Sequence, residues 1–249
     1  MPESGFDFLD VRDFTVGAML RTGLALRKRL KDAESLEEAA NTIVQLIDER
    51  CINPESGAKS SVLVRFYKTH EYGGLPSDLR RFVDALLGTA PPSAMRCLTL
   101  MATVGQEPAW NDRRQSHGHQ AIPLPSADFV EKAPMIRQLI ADIGLDIEDV
   151  VRGTARPPRP GDSRNYDVFH VEHAEGSPHI PAQGDFVKRY GVKSVVGFGG
   201  LLKSGELFAV IVFSRDHIPS DSASRFRTIA LDIRSALFML DERAVFDSE

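Results

Sequence analysis

The sequence lacks the features that mark secreted, membrane and nucleic-acid-binding proteins. Its 249 residues include only two cysteines, Cys51 and Cys97, which lie too far apart for a zinc ribbon or a dense disulfide framework. No apolar run approaches the roughly 18 residues that a membrane-spanning helix needs. The acidic opening, MPESGFDFLD, lacks the basic and apolar regions of a signal peptide. A formal net charge of −5 provides no positive field for nucleic acid. These absences predict a cytoplasmic protein without a membrane or nucleic-acid partner.

Helical and strand periodicities alternate along the chain and predict one α+β domain. The predicted helices are 11–30, a helix that Ser35 caps, 76–87, 127–143, a short helix at 183–190, and a last helix from 219 to about 240. The predicted strands are 61–69, 97–104, 121–124, 166–171, 194–202 and 207–214. Ser204 and Gly205 are typical of a tight turn, so the last two strands should pair antiparallel. The domain is expected to span 11–243, with loose ends at 1–10 and 244–249.

Three stretches of the sequence resemble the GAF-domain family. The run from Phe186 to Gly200 reads FVKRYGVKSVVGFGG, which is similar to the passage from the last short helix into the hairpin of GAF domains. The run from Leu207 to Ser214, LFAVIVFS, resembles the strand before the final helix. The run from Trp110 to Leu124, WNDRRQSHGHQAIPL, is similar to GAF-type segments that precede the kinase parts of bacterial sensor histidine kinases.

The resemblance implies a GAF-like α+β fold with a sensory function. Such a fold has a six-stranded antiparallel sheet, with the terminal helices on one face. On the other face, short helices and loops cover a pocket. The resemblance also implies a homodimer formed through the terminal helices, which relay the state of the pocket to an output module. No phosphoacceptor-histidine helix, ATP lid or helix-turn-helix follows Leu240, so we expect the output module to be a separate protein, such as a histidine kinase, or a missing part of a longer chain.

The broad apolar face of the last helix is expected to pack with the first helix on one side of the sheet and to form a two-fold dimer interface. Its members are Phe226, Ile233, Leu237 and Leu240, and the first helix is expected to add to them.

Segments 105–120, 126–143 and 173–190 correspond to the parts of a GAF domain that cover its pocket. They contain an aromatic and polar mixture that is typical of a small-molecule site. The candidate ligand-binding residues are Trp110, Asn111, His117, His119, His173, His179 and Tyr190. His119 is the leading candidate, because it leads directly into strand 121–124. Trp110 has an alternative interpretation, as an anchor that holds its loop to the core.

Histidine spacing leaves a metal or haem open as an alternative ligand. His117 and His119 are two residues apart, and His170 and His173 are three apart, so neighbouring imidazoles could bind a metal. No recognised zinc or haem spacing is present, however. The expectation is therefore a small organic ligand or none, without a bound cofactor.

A redox function is a further alternative, because one branch of the GAF family reduces free methionine sulfoxide with cysteines. Cys51 falls at a helix end and Cys97 at a strand start, with no third thiol nearby. Both are interpreted as buried structural residues. The sequence thus favours a sensory module over an enzyme, with a cysteine reductase or a histidine-ligated metal enzyme on the same scaffold as the alternative.

Overall fold

A computed structural model describes residues 8–116, 118–156, 167–238, 240 and 245–246. Its helices are α1 (Val16–Leu30), α2 (Leu36–Arg50), α3 (Ser77–Leu87), α4 (Ala127–Glu131), α5 (Pro134–Asp142), α6 (Ile147–Arg152) and α7 (Ser220–Leu237). Its strands are β1 (Ser61–Glu71), β2 (Arg96–Gly105), β3 (Ala121–Leu124), β4 (Phe169–Val171), β5 (Ser194–Leu201) and β6 (Leu207–Ser214). Two short 3₁₀ helices (Tyr72–Gly74 and Pro108–Asn111) and a π-helical turn (Gln183–Lys188) complete the described elements.

The six strands form one sheet in the order β3-β2-β1-β6-β5-β4. Every neighbouring pair is antiparallel, including the β5–β6 hairpin. The hairpin turn places Gly205 at φ +84°, a backbone conformation that glycine adopts without strain. The predicted fold class, with all six predicted strands in one antiparallel sheet, is confirmed.

Side chains alternate between the two faces of this sheet, and each face has its own core. On one face, Val64, Phe66 and Phe198 pack with α1, α2 and α7. On the other face, Leu63 and Tyr67 pack with α4, α5, α6 and the π-helical turn. The terminal helices and the short helices therefore lie on opposite faces, as predicted. No helix of the described residues is long and apolar enough to cross a membrane.

Local chemistry moves two predicted helix boundaries. The first helix begins at Val16 and not at Val11, because the Thr15 side chain accepts a hydrogen bond from the Ala18 N–H and so caps the first turn. The predicted helix 127–143 is two helices, α4 and α5. Pro134 opens the second helix at a position where its missing N–H costs nothing.

The fourth strand is shorter than predicted, since it begins at Phe169. The prediction placed its start at Tyr166, which lies outside the described residues, as does most of the predicted loop 152–164.

Helices α1 and α7 run side by side in the same direction. Phe14 packs on Phe226 with ring centroids 4.8 Å apart, and further along Arg27 forms an ion pair with Asp232. The helices approach so closely that a Cβ on Gly23 would collide with the Asp232 carboxylate.

The residues predicted to form a dimer interface lie inside the protein's own core. Phe226, Ile233, Leu237 and Leu240 are all buried against the helix-side face of the sheet. The predicted packing of the first and last helices on one side of the sheet is confirmed, and these side chains are buried in it because α7 turns its broad apolar face toward β5 and α1. The predicted dimer stays a prediction.

Parts of both predicted loose ends are packed. Leu9 is fully buried, and its N–H donates to the Arg50 carbonyl. Near the other terminus, the ring of Phe246 lies 5.2 Å from the His70 ring, and the Val245 carbonyl accepts from the Glu37 N–H. Residues 1–7, 241–244 and 247–249 lie outside the described residues.

Candidate ligand-binding site

A cavity of about 350 Å³ lies on the sheet face opposite the terminal helices. The sheet forms its floor through Leu63, Arg65, Tyr67, Leu98, Ile122, Ile211 and Phe213. All three segments predicted to cover the pocket supply its roof, through Trp110, His119, Ala133, Pro134, Met135, Ile136, Leu139, Ile180, Pro181, Ala182 and Phe186. The volume is at the small end of the range of about 300–1,000 Å³ that small-molecule sites span.

Aromatic rings hold the roof to the floor. The Phe186 ring meets Phe213 edge to face at 5.0 Å between centroids, and Trp110 at 5.8 Å. Tyr190 packs on both rings, at 4.8 Å from Trp110 and 5.9 Å from Phe186. Such ring pairs contribute stability beyond that of the apolar area they bury, and they therefore hold the roof in place. Trp110 thus combines its two predicted roles: it anchors its loop and lines the cavity.

Arg65 is a charged residue in an otherwise apolar wall. It lies in the middle of β1, is 8% exposed, and is the one lining residue among those described that carries a formal charge. Its Nη1 donates to the Tyr67 hydroxyl at 3.2 Å and its Nη2 to the Ser116 hydroxyl at 2.9 Å. Its buried Nε has no hydrogen-bond partner among the described residues. Both bonded partners are neutral, so they satisfy N–H groups without balancing the charge.

His119 lines the same cavity as this arginine. Its backbone has φ +56°, in the left-handed region that non-glycine residues rarely adopt, and it follows Gly118 at φ +72°. Although much of the residue is accessible to solvent, its pKa is lowered, first by desolvation and second by repulsion from Arg65. The imidazole is therefore neutral near pH 7, with one nitrogen that donates and one that accepts a hydrogen bond.

The loop before His119 connects the cavity to the helices of the opposite face. Arg113 forms a buried ion pair with Glu37 of α2, with Nε 2.5 Å from Oε1, and also contacts Asp78. Three residues later, the fully buried Ser116 accepts the bond from Arg65. One turn of the loop therefore contacts both the cavity wall and α2.

The structure places the other candidate residues away from the cavity. Asn111 closes its own loop, since its side chain bonds both the N–H and the carbonyl of Gly105. The His179 ring meets Phe169 edge to face, and its buried Nδ1 has no partner among the described residues. His173 is exposed. His117 lies outside the described residues, so its predicted role stays a prediction.

Two of the candidate metal ligands, His170 and His173, have different contacts in the structure, while the pair of His117 and His119 stays a prediction because His117 lies outside the described residues. The His170 Nε2 lies 2.9 Å from the Ile218 carbonyl, and burial lowers the pKa of this imidazole. His173 instead groups with His217 and Glu172, and their potential ligand atoms lie within 4.8 Å of one another. His217 Nε2 is 3.1 Å from the Glu172 carboxylate, and both side chains are partly exposed. The contacts of His217 with Glu172 and with the His173 ring account for this group.

Neither cysteine lines the cavity. Cys51 packs in the helix-side core and Cys97 beside α3, and both are fully buried. Burial raises the pKa of Cys97 to about 12 and that of Cys51 above its usual range. Because the thiolate is the reactive form, these thiols have the character of inert core residues. The cysteine-reductase alternative gains no support from this arrangement.

No protein-family model matches the chain, and no curated protein is significantly similar in sequence. Solved structures with a similar arrangement include a free methionine-R-sulfoxide reductase from Neisseria meningitidis, at 8% identity and a TM-score of 0.47, with 90% of each chain covered. They also include the GAF domain of a phosphoenolpyruvate-protein phosphotransferase from Coxiella burnetii, at 12% identity and a TM-score of 0.44, with 90% of this chain and 94% of that chain covered. A phycocyanobilin-bound GAF domain of a cyanobacterial phytochrome follows, at 13% identity and a TM-score of 0.45, with 89% and 94% covered. The GAF family that the sequence resembles is thus among the similar folds. At these scores the likeness carries no argument about ligand or activity.

Sequence reasoning missed Arg65, although a signal was present. In the strand from Val62 to Tyr67, the only charged residue is an arginine, flanked at i−2 and i+2 by Leu63 and Tyr67. Since residues two apart face the same side of a sheet, the pattern placed a cation within an apolar face. A buried arginine is rare unless it is paired, so the position itself indicated a site.

Proposed function

We propose that this protein is a GAF-like signal-sensing module that binds a small ligand in the cavity between the sheet and its three roof segments. The observation that supports this proposal is the cavity itself, which is apolar, carries the polar groups of Arg65, His119 and Tyr67, and lies on the face away from the terminal helices. An apolar pocket with a small number of convergent polar groups is the usual composition of a small-molecule site. The proposed role is binding; a cysteine-dependent reduction is disfavoured because neither thiol lines the cavity.

In this proposal, the loop 112–116 carries the state of the cavity to the helices. A ligand that attracts Arg65 competes with its bond to Ser116, and a shift of this turn displaces Arg113 from Glu37 on α2. Because α2 shares its core with α1 and α7, the terminal helices respond to the change. Contacts that have two discrete arrangements are the physical basis of such coupling.

The partner for the terminal helices is a second copy of this chain. Val16, Leu20 and Leu24 form an exposed stripe on α1 at i, i+4 and i+8, with 56%, 56% and 63% exposure. Leu231 and Phe238, seven residues apart, are exposed on the adjacent α7. Two parallel helices with such stripes match the same surface of a second copy around a two-fold axis, which yields a four-helix packing. A separate output protein, such as a histidine kinase, then reads the paired helices.

The dimer proposal is tested by Leu20→Glu, with Leu86→Glu on α3 as the matched control at an exposed leucine. Light scattering should show a dimer for the wild type and for Leu86→Glu, and a monomer for Leu20→Glu. A wild-type protein that is monomeric at high concentration would contradict this proposal.

Filling the cavity tests the binding proposal. Ile122→Trp adds a large ring to a half-buried residue of the cavity wall, whereas Leu86→Trp adds the same ring on the exposed side of α3. Compounds from a fragment library that raise the melting temperature of the wild type should also stabilise Leu86→Trp but not Ile122→Trp. A ligand at a hundredfold excess over Kd adds about 2.7 kcal/mol to the free energy of unfolding. Equal stabilisation of both variants, or no hit on the wild type, would contradict the proposal.

A further inference from the structure

The charge balance of the cavity points to the class of its ligand. Arg65 is a permanent cation, nine-tenths buried, and no carboxylate of the described residues forms an ion pair with it. Three other buried charges of the described residues have an ion-pair partner: Arg113 lies against Glu37, and the buried Asp48 against Lys59. An unpaired buried charge is strongly unfavourable, and proteins keep one only where something else balances it. At Arg65 the balancing group is absent from the described side chains.

We propose that the cavity binds a monocarboxylate with an apolar body, and that Arg65 pairs with its carboxylate. The proposal rests on the binding function above and specifies its ligand. Two of the five N–H groups of the guanidinium are occupied, both by hydroxyls, so the others are free to meet an anion after a small rotation. Arginine and carboxylate form paired, charge-assisted hydrogen bonds, the strongest of their kind in proteins.

A single negative charge fits this site better than a phosphate. Arg65 is the one formal charge in the described lining, and the lowered pKa of His119 keeps that imidazole neutral. A phosphate ester carries up to two negative charges and three acceptor oxygens, which one arginine and a few neutral donors do not match. A carboxylate balances the charge one to one, and His119 and Tyr67 line the same cavity with groups that can bond its oxygens.

The rest of the cavity fits an apolar body. Beyond the polar groups, aliphatic and aromatic side chains form its walls, with Trp110, Phe186 and Phe213 on one side and Leu98, Leu139 and Ile211 among the others. Neither a sugar nor a dicarboxylate would find partners for additional polar groups there. An aryl or short alkyl acid removes apolar area from water while its charge meets Arg65.

Matched acids and amides test this assignment. Phenylacetate and hexanoate are titrated by calorimetry into the full chain, alongside phenylacetamide, hexanamide and phenyl phosphate. Each acid should bind about 10- to 100-fold more tightly than its amide, the range expected for hydrogen bonds to a charged group. Fluorescence of Trp110, the only tryptophan of the chain, supplies an independent signal from the cavity wall.

Arg65→Met should remove the preference for the acid while leaving the amide affinity within about threefold, and Arg29→Met, at an exposed arginine of α1, should change neither. The comparison of acid with amide on the wild type needs no variant, so it stands even if Arg65→Met does not fold. Amides that bind as tightly as their acids, or an acid preference that persists in Arg65→Met, would overturn the assignment and leave the binding function intact. Tighter binding of phenyl phosphate than of phenylacetate would replace the carboxylate by a phosphate. If no compound of this panel binds, the ligand class is wrong, and the cavity-filling experiment decides the binding function separately.

Discussion

The two faces of the sheet are built from the same strands and have different physical character. On the helix side, Phe66, Phe198 and Phe208 are fully buried against the terminal helices. On the other side, the strands present Arg65 and Tyr67 to a cavity whose roof is half-exposed loops and short helices. A close-packed face supplies stability, whereas a face with a cavity and an unbalanced charge gives up stability. The helix face therefore contributes more to the stability of the fold than the cavity face does.

The strongest test of this contrast truncates one phenylalanine on each face. Phe226 is fully buried between Phe14 and Phe198, at centroid distances of 4.8 and 5.1 Å. Phe226→Ala should lower the free energy of unfolding by about 3–5 kcal/mol. Phe186 in the cavity roof is half-buried, so Phe186→Ala should cost about 1–2 kcal/mol. Urea denaturation measures both, and equal losses would mean that the two faces contribute alike.

A second test breaks the ion pair that joins the two faces. Arg113→Met removes the cation nearest to Glu37, which is 2% exposed, and leaves the half-exposed Arg114 at 3.6 Å. Because a buried carboxylate loses its main ion pair, the free energy of unfolding should fall by about 3–5 kcal/mol, slightly less if Arg114 moves closer. The matched control is Arg29→Met, whose exposed pair with Glu49 should contribute about 0–1 kcal/mol. Similar small losses for both variants would remove this contact from the proposed route between cavity and helices.

A third test uses two glycines of α1. A Cβ on Gly23 collides with the carboxylate of Asp232, a nearly buried residue held by Arg27, so Gly23→Ala must displace that carboxylate or separate α1 from α7. We expect a net loss of about 1–2 kcal/mol, since the strain outweighs the gain in helix propensity. On Gly17 the nearest group is the mobile end of Arg21, 3.3 Å away, so Gly17→Ala should stabilise the protein by about 0.5–1 kcal/mol. Thermal denaturation compares them, and a stabilised Gly23→Ala would show that this face is less tightly packed than described.

The smallest effect on stability is expected at His119. Because this residue is largely exposed, His119→Ala should leave the melting temperature almost unchanged. It should weaken the binding of a cavity ligand by about 1–3 kcal/mol if the imidazole bonds that ligand. His119→Gly is the control, because it relieves the backbone strain at φ +56° while it removes the same ring. A large loss of stability with unchanged affinity would make His119 a structural residue.

The sequence predicted the sheet better than the site, for a physical reason. The β5–β6 hairpin and the Ser35 cap are encoded by residues close together in the chain, and both are confirmed. The partners of Arg65 are not local, since Ser116 is 51 residues away and reaches it only through the fold. Histidine spacing likewise paired His173 with His170, whereas the fold places it beside His217. Local patterns therefore predict elements, and only the packed chain shows which side chains meet.

Our central proposal is that a ligand in the cavity changes the helices on the opposite face of the sheet. Amide hydrogen exchange tests this proposal most directly. The exchange of the wild type is compared with and without the fragment that stabilises it most. We expect slower exchange in the roof, at 105–116 and 183–188, where the ligand packs. We also expect altered exchange in α2 and α7, which supply no lining residue of the cavity and are connected to it through the sheet and through the loop that carries Arg113. Protection confined to the roof, with α2 and α7 unchanged, would contradict the relay and leave a binding protein without a transmitted signal.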